Sequence, residues 1–149
     1  MAIVGFGFDN IKAEKKLRGL PKETKISSDI NISDVTKDEV SFSNKQQDLL
    51  KINFNFSINY EPGFGLVAIN GHVLYMADEK EHKEILDSWK KEKKLKPVLL
   101  TNLINYILAK VHIKSLELTQ DVNLPPHLPL PHVQMKEAKE DLKKSEYIG

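Results

Sequence analysis

The chain has 149 residues, 22 of them basic and 21 acidic, so the formal net charge is +1. This length predicts one domain, and the near-neutral charge excludes a bulk field that would attract nucleic acid or an anionic membrane. The lack of cysteine excludes disulfides, zinc–thiolate sites and thiol nucleophiles.

The first strand is predicted to contain a bulge. Apolar residues occupy even positions up to residue 8 and odd positions from residue 11 (Val4, Phe6, Phe8; Ile11, Ala13). A slip of one residue near Asp9-Asn10 reverses the two faces of a strand and predicts a β-bulge or a bend.

The amino-terminal residues lack the basic region of a signal peptide, and no apolar run is long enough to span a membrane. We therefore expect a cytoplasmic protein without membrane insertion.

A second strand is predicted from Lys25, because apolar and polar residues alternate through Ile32. The acidic stretch 34–39 then predicts a turn, after which Val40 and Phe42 resume the even phase. The polar stretch 43–48 is interpreted as the connection to the next strand.

The strongest signal is a β-hairpin between residues 50 and 76. Every even position from Leu50 to Tyr60 is apolar and every odd position is polar, which is the period of a strand with one buried face. Glu61-Pro62-Gly63 supplies a turn, and an apolar strand from Phe64 to Met76 completes the hairpin.

Two helices are predicted after the hairpin. Asp78 has the properties of an N-cap with Glu81 in the capping-box position, and an apolar stripe continues to Trp89. The lysine-rich stretch 90–96 is interpreted as a solvated face. Pro97 suits the first turn of a second helix, and its apolar spacing extends to Ile113 over a face broad enough for a sheet, a helix or another subunit.

The remaining chain is predicted to be extended and then charged. The stretch 116–133 carries four prolines in Asn123-Leu-Pro-Pro-His-Leu-Pro-Leu-Pro-His132, which exclude a helix in that run. Residues 134–149 are interpreted as a charged helix or tail.

The chain lacks a nucleotide-binding loop, a catalytic serine elbow and a zinc-protease motif, and the five histidines show no common zinc spacing. We expect no enzyme activity, no cofactor and no metal.

The order of these elements resembles the SecB family of export chaperones. Phe64-Gly-Leu-Val-Ala-Ile-Asn-Gly71 is similar to the family's fourth strand, and Asn123-Leu-Pro-Pro126 resembles the motif that follows its long second helix. The resemblance implies an α+β domain over residues 1–133, with a four-stranded antiparallel sheet and two helices on one face. It also implies tetramers built from dimers that hold unfolded chains in surface grooves. The near-neutral charge departs from the acidic export-linked members and weighs against docking to a SecA-type motor.

We therefore expect a homo-oligomeric holdase, a dimer or tetramer, that binds unfolded or nascent polypeptides without ATP. A role in export and an association with a toxin–antitoxin system are both open. The alternative from another class is a protein of this fold that binds a small molecule or a nucleic acid, since fold does not determine function.

Four large apolar side chains are the candidate client-binding residues: Phe42, Trp89, Leu128 and Leu130. Phe42 lies between polar stretches and Trp89 at the end of a narrow helical stripe. The prolines around Leu128 and Leu130 keep both out of regular structure. The four could line one groove. The open alternative, which is favoured for any one of them taken alone, is local packing that closes the edges of a single core.

Overall fold

The computed structural model describes residues 2–16, 23–42 and 45–133, and the side chains of 40–47 lie outside that description. The elements are β1 (Ala2–Lys15), β2 (Lys25–Phe42), β3 (Lys45–Glu61), β4 (Gly65–Met76), α1 (Glu79–Glu92) and α2 (Pro97–Asp121). The predicted α+β class, with a four-stranded antiparallel sheet and two helices, is confirmed. The predicted charged segment 134–149 lies outside the described residues, so the domain division at 133 stays a prediction.

The sheet has the strand order β1-β4-β3-β2, which leaves β1 and β2 as the edges. All even residues of β3 from Leu50 to Tyr60 are buried, as the alternation predicts. They form the core with the odd residues of β4 and the inward faces of the helices. The helix α1 packs against β2, and α2 packs against β4.

Both edge strands contain bulges. The pairing of β1 with β4 shifts between Phe8 and Asn10, which confirms the predicted slip. A similar shift between Ile32 and Asp34 interrupts the pairing of β2 with β3. The predicted turn over 34–39 is wrong, because these residues continue β2, and β3 already begins at Lys45. The bulge reverses the two faces of β2. Before it, the even residues Ile30 and Ile32 pack against the core, and after it the odd residue Val35 is buried.

Gly71 allows two aromatic rings to cross the middle of the sheet. Phe54 lies opposite Gly71 and stacks on Phe6 of β1, with ring centroids 5.6 Å apart and ring planes 21° apart. A Cβ atom on Gly71 would lie 2.7 Å from Cζ of Phe54 and closer still to the backbone oxygen of Gly7. A glycine is required here because strand and ring approach the backbone so closely.

The two helices begin at the predicted residues. Asp78 caps α1, since its carboxylate accepts a 2.8 Å hydrogen bond from the Glu81 amide, and Pro97 lies in the first turn of α2. The predicted end of α2 is wrong, because the helix continues through residues 116–121. Its buried stripe runs at every fourth residue and changes from apolar to small polar side chains (Leu103, Ile107, Val111, Ser115, Thr119). The change removes the apolar period that would have indicated the last two turns.

The open face of the sheet carries a row of asparagines across its middle, and Leu66, Ala68 and Leu74 of β4 are partly exposed on the same face. Asn10, Asn70, Asn55 and Asn31 lie side by side across all four strands, and all four are exposed. The amide of Asn70 donates a 2.8 Å hydrogen bond to the Asn55 side-chain oxygen.

Candidate functional site

An apolar cleft lies between the edge of β2 and the connection of the two helices. We call it the Trp89 cleft. It has a volume of about 540 Å³ and is lined by Ile30, Asn31, Ile32, Trp89, Lys93, Lys94, Leu95, Leu100 and Ile104. Such a volume and such a lining suit one or two bulky apolar side chains of a ligand.

The end of α1 positions the wall of this cleft. Lys93 adopts a left-handed conformation, with φ at 55°, and its backbone N–H donates a 3.0 Å hydrogen bond to the Trp89 carbonyl. The chain then turns through Leu95, which is buried, into α2. Trp89 is 7% exposed, and its indole N–H has no hydrogen-bond partner among the described residues. Trp89 and Leu95 therefore form an apolar wall of the cleft.

A second apolar cleft lies at the other end of α2. We call it the Leu130 cleft. It has a volume of about 790 Å³ and is lined by Lys15, Leu116, Thr119, Gln120, Asn123, Leu124, Pro125, Pro126 and Leu130. One of its walls is the proline-bearing segment 123–133, so the placement of that segment determines the shape of the cleft.

Two contacts anchor the start of this segment. Asn123, which follows the C-cap residue Val122 of α2, has a left-handed conformation with φ at 60°, and the Leu124 amide donates a 2.8 Å hydrogen bond back to the Thr119 carbonyl. The Leu124 side chain is buried over Gly65, where a Cβ atom would lie 2.6 Å from it. The Tyr60 hydroxyl donates to the Pro125 carbonyl, and burial raises the pKa of Tyr60 to about 12, so this donor keeps its proton at neutral pH.

A histidine pair joins the same segment to α2. His112 Nδ1 and His127 Nε2 lie 2.9 Å apart, with ring centroids 5.1 Å and ring planes 23° apart. Because the centroids lie much farther apart than the nitrogens, the rings meet edge to edge through a hydrogen bond rather than stack. One nitrogen must donate and the other accept, which both rings can do while neutral. Burial lowers the pKa of His112, and burial together with His112 lowers the pKa of His127.

The predicted site residues do not meet in one groove. Trp89 lines one cleft and Leu130, which is 51% exposed, lines the other. Leu128 is exposed and lines neither cleft, and the Phe42 side chain lies outside the described residues. Sequence reasoning missed Leu100 and Ile104, because the apolar period of α2 assigns them to the core. It missed Leu95 because that residue lies in the lysine-rich stretch 90–96, which the sequence pattern assigns to a solvated face.

The described residues show neither a metal cluster nor a membrane span. No group of three or more His, Asp or Glu side chains among them is arranged to hold a metal ion. Within the same ranges, no helix is long and apolar enough to cross a bilayer. No protein-family model matches this chain, and no curated protein matches its sequence. The resemblance to the SecB family therefore stays a prediction that depends on the residues quoted for it.

Proposed function

We propose that this protein is an ATP-independent holdase that binds unfolded or nascent polypeptides in the cytoplasm. The observation that carries the proposal is the presence of two apolar clefts at opposite ends of α2, one of them beside the outer edge of a sheet. Unfolded chains expose apolar side chains and unpaired backbone groups, and clefts beside a strand edge bind both. The order of elements, which resembles the SecB family, supports the same function.

Exposed apolar side chains on the helix α2 and the strand β1 support assembly into an oligomer. An uncharged stripe of α2 faces solvent in the single chain (Val98, Asn102, Asn105, Ala109, Ile113), and Val98 and Ile113 are 75% and 65% exposed. On the edge strand β1, Val4, Phe8 and Ile11 are also exposed. Surfaces of this kind are typical of protein interfaces. We propose at least a homodimer, and a compact monomer at micromolar concentration in sedimentation velocity would contradict it.

The function is tested by the aggregation of a chemically unfolded model protein, followed by light scattering at near-stoichiometric chaperone. Suppression should be strong for the native sequence and weak for the double variant Leu100→Ser with Leu130→Ser, which changes one residue in each cleft. Leu100 and Leu130 are 36% and 51% exposed, so the fold should tolerate both changes.

A matched control is the double variant Ile26→Ser with Val133→Ser. These residues are 37% and 75% exposed and line neither cleft, so suppression should be retained. Absence of suppression by the native protein would refute the proposal and favour a small-molecule or nucleic-acid ligand. Equal loss in both variants, with circular dichroism unchanged, would refute the assignment of the clefts. A role in export or in a toxin–antitoxin system is tested separately, with partners from those systems.

A further inference from the structure

The Trp89 cleft has a positively charged rim. Lys93 and Lys94 belong to its lining, and no acidic residue among the described ones does. The Lys93 Nζ lies 5.5 Å from the centroid of the Trp89 ring, over its face. Two hydrogen bonds hold the backbone of this rim in place. The Lys93 amide donates to the Trp89 carbonyl at the end of α1, and the Lys94 carbonyl accepts a 3.0 Å hydrogen bond from the Ser88 hydroxyl.

The two rim lysines differ from the other lysines of the same stretch. Lys90 and Lys91 lie in the last turn of α1 and do not line the cleft. Lys96 makes a 3.2 Å ion pair with Glu84. Within the described part of the chain, neither Lys93 nor Lys94 forms an ion pair with a carboxylate. Their ammonium groups are therefore available to an occupant of the cleft.

An occupant that satisfies all parts of this cleft has an apolar body and a negatively charged or acceptor group beside it. The apolar lining binds the body, and the two ammonium groups attract a carboxylate. A basic ligand of the same apolar content would meet two like charges at the rim, which acts against its binding.

We propose that the Trp89 cleft selects client segments in which a bulky apolar residue adjoins aspartate or glutamate. This inference rests on the proposed chaperone function and assigns the class of client that one of its clefts prefers. Acidic segments of an unfolded chain are the ones that this rim retains, and basic segments are left to other surfaces.

Trp89 is the only tryptophan of the chain, so its fluorescence reports on the cleft directly. Two synthetic peptides without tryptophan are titrated, with identical leucine and phenylalanine positions, one flanked by glutamate and the other by lysine. The acidic peptide should bind on the order of tenfold more tightly at low salt, and the difference should shrink at high salt as the charges are screened.

Charge reversal at the rim should reverse the preference. The variant Lys93→Glu with Lys94→Glu should bind the basic peptide more tightly, and Lys93→Gln with Lys94→Gln should bind both peptides equally. The matched control is Lys90→Glu with Lys91→Glu, which makes the same change of net charge on α1 outside the cleft and should keep the preference of the native sequence. Circular dichroism of each variant identifies any loss of fold, and the neutral glutamine variant provides the test if the glutamate variant unfolds.

Each contrary outcome separates this inference from the chaperone function. Equal affinity for both peptides overturns the charge preference, although aggregation of a neutral client is still suppressed. Unchanged Trp89 fluorescence with either peptide overturns the cleft as the site. An equal shift of preference in the Lys90 and Lys91 control overturns the role of the rim. Tighter binding of a single-stranded oligonucleotide than of the acidic peptide overturns it in favour of a nucleic-acid ligand.

Discussion

The substitution Gly71→Ala should destabilise the protein far more than its single methyl group suggests. The added Cβ would lie 2.7 Å from Cζ of Phe54 and closer still to the backbone oxygen of Gly7, so both the ring and the neighbouring strand would have to move. Overpacking of this kind costs about 1–3 kcal/mol, and loss of the Phe54–Phe6 ring contact adds about 0.5–1.5 kcal/mol. We expect a decrease of about 2–4 kcal/mol in the free energy of unfolding.

The same substitution at Gly63 is a matched control with a different cause. Gly63 lies in the turn between β3 and β4 with φ at +62°, and a Cβ there would meet no atom within 4 Å. Only backbone strain opposes alanine at this position, at about 1–2 kcal/mol. Urea unfolding followed by circular dichroism measures both variants. A Gly71→Ala loss no larger than the Gly63→Ala loss would refute the close approach at Gly71.

A double-mutant cycle separates the ring from the strand. Phe54→Leu removes the part of the side chain nearest the new methyl group. The double variant should therefore lose about 1 kcal/mol less unfolding free energy than the sum of the two single losses. Recovery should be incomplete, because Phe54→Leu does not relieve the close contact of the new Cβ with the backbone oxygen of Gly7. Full recovery would show that the ring alone accounts for the effect.

Three further predictions concern the histidine pair, the helix cap and the register of β3. His112 and His127 have lowered pKa values in the folded protein, so the folded state binds fewer protons; their contribution to stability is full above the usual pKa of 6.5 and is lost as the pH falls through the lowered values. Replacement of both with glutamine should flatten that part of the curve of unfolding free energy against pH, and an unchanged slope would contradict it. Asp78→Ala should cost about 1 kcal/mol in urea unfolding through loss of the N-cap. Phe54→Lys should unfold the protein, since it buries an unpaired charge, whereas Asn55→Lys should change the unfolding free energy by less than about 0.5 kcal/mol.

The proline-bearing segment shows how a local prediction fails when a contact is distant in sequence. The four prolines correctly exclude a helix after residue 123, but α2 continues to Asp121, because Ser115 and Thr119 occupy buried positions that carry no apolar signal. The contact of His112 with His127 spans 15 residues, and that of Tyr60 with Pro125 spans 65. No residue pattern within a short window indicates either contact.

Features that depend on neighbouring residues could be predicted from the sequence. The alternation of β3 gave its buried face, the phase change at Asp9-Asn10 gave the bulge of β1, and Asp78 gave the start of α1, because strand pleat, bulge and cap are local in origin. The phase change in β2 is of the same kind, but the acidic residues after it obscured the strand, which pairing with β3 maintains.

The two clefts depend on packing between elements that are distant in sequence. Trp89 and Leu130 lie in separate clefts because α2 runs between them over the sheet, and the lysines that follow α1 border a cleft because the chain turns back toward the β2 edge. The row of four asparagines likewise exists only through the register of four strands. The spacing of residues along the chain determines the face that each occupies on its own element. Which faces meet is determined by the packing of elements that are distant in sequence, and the periodicity of the sequence does not indicate that packing.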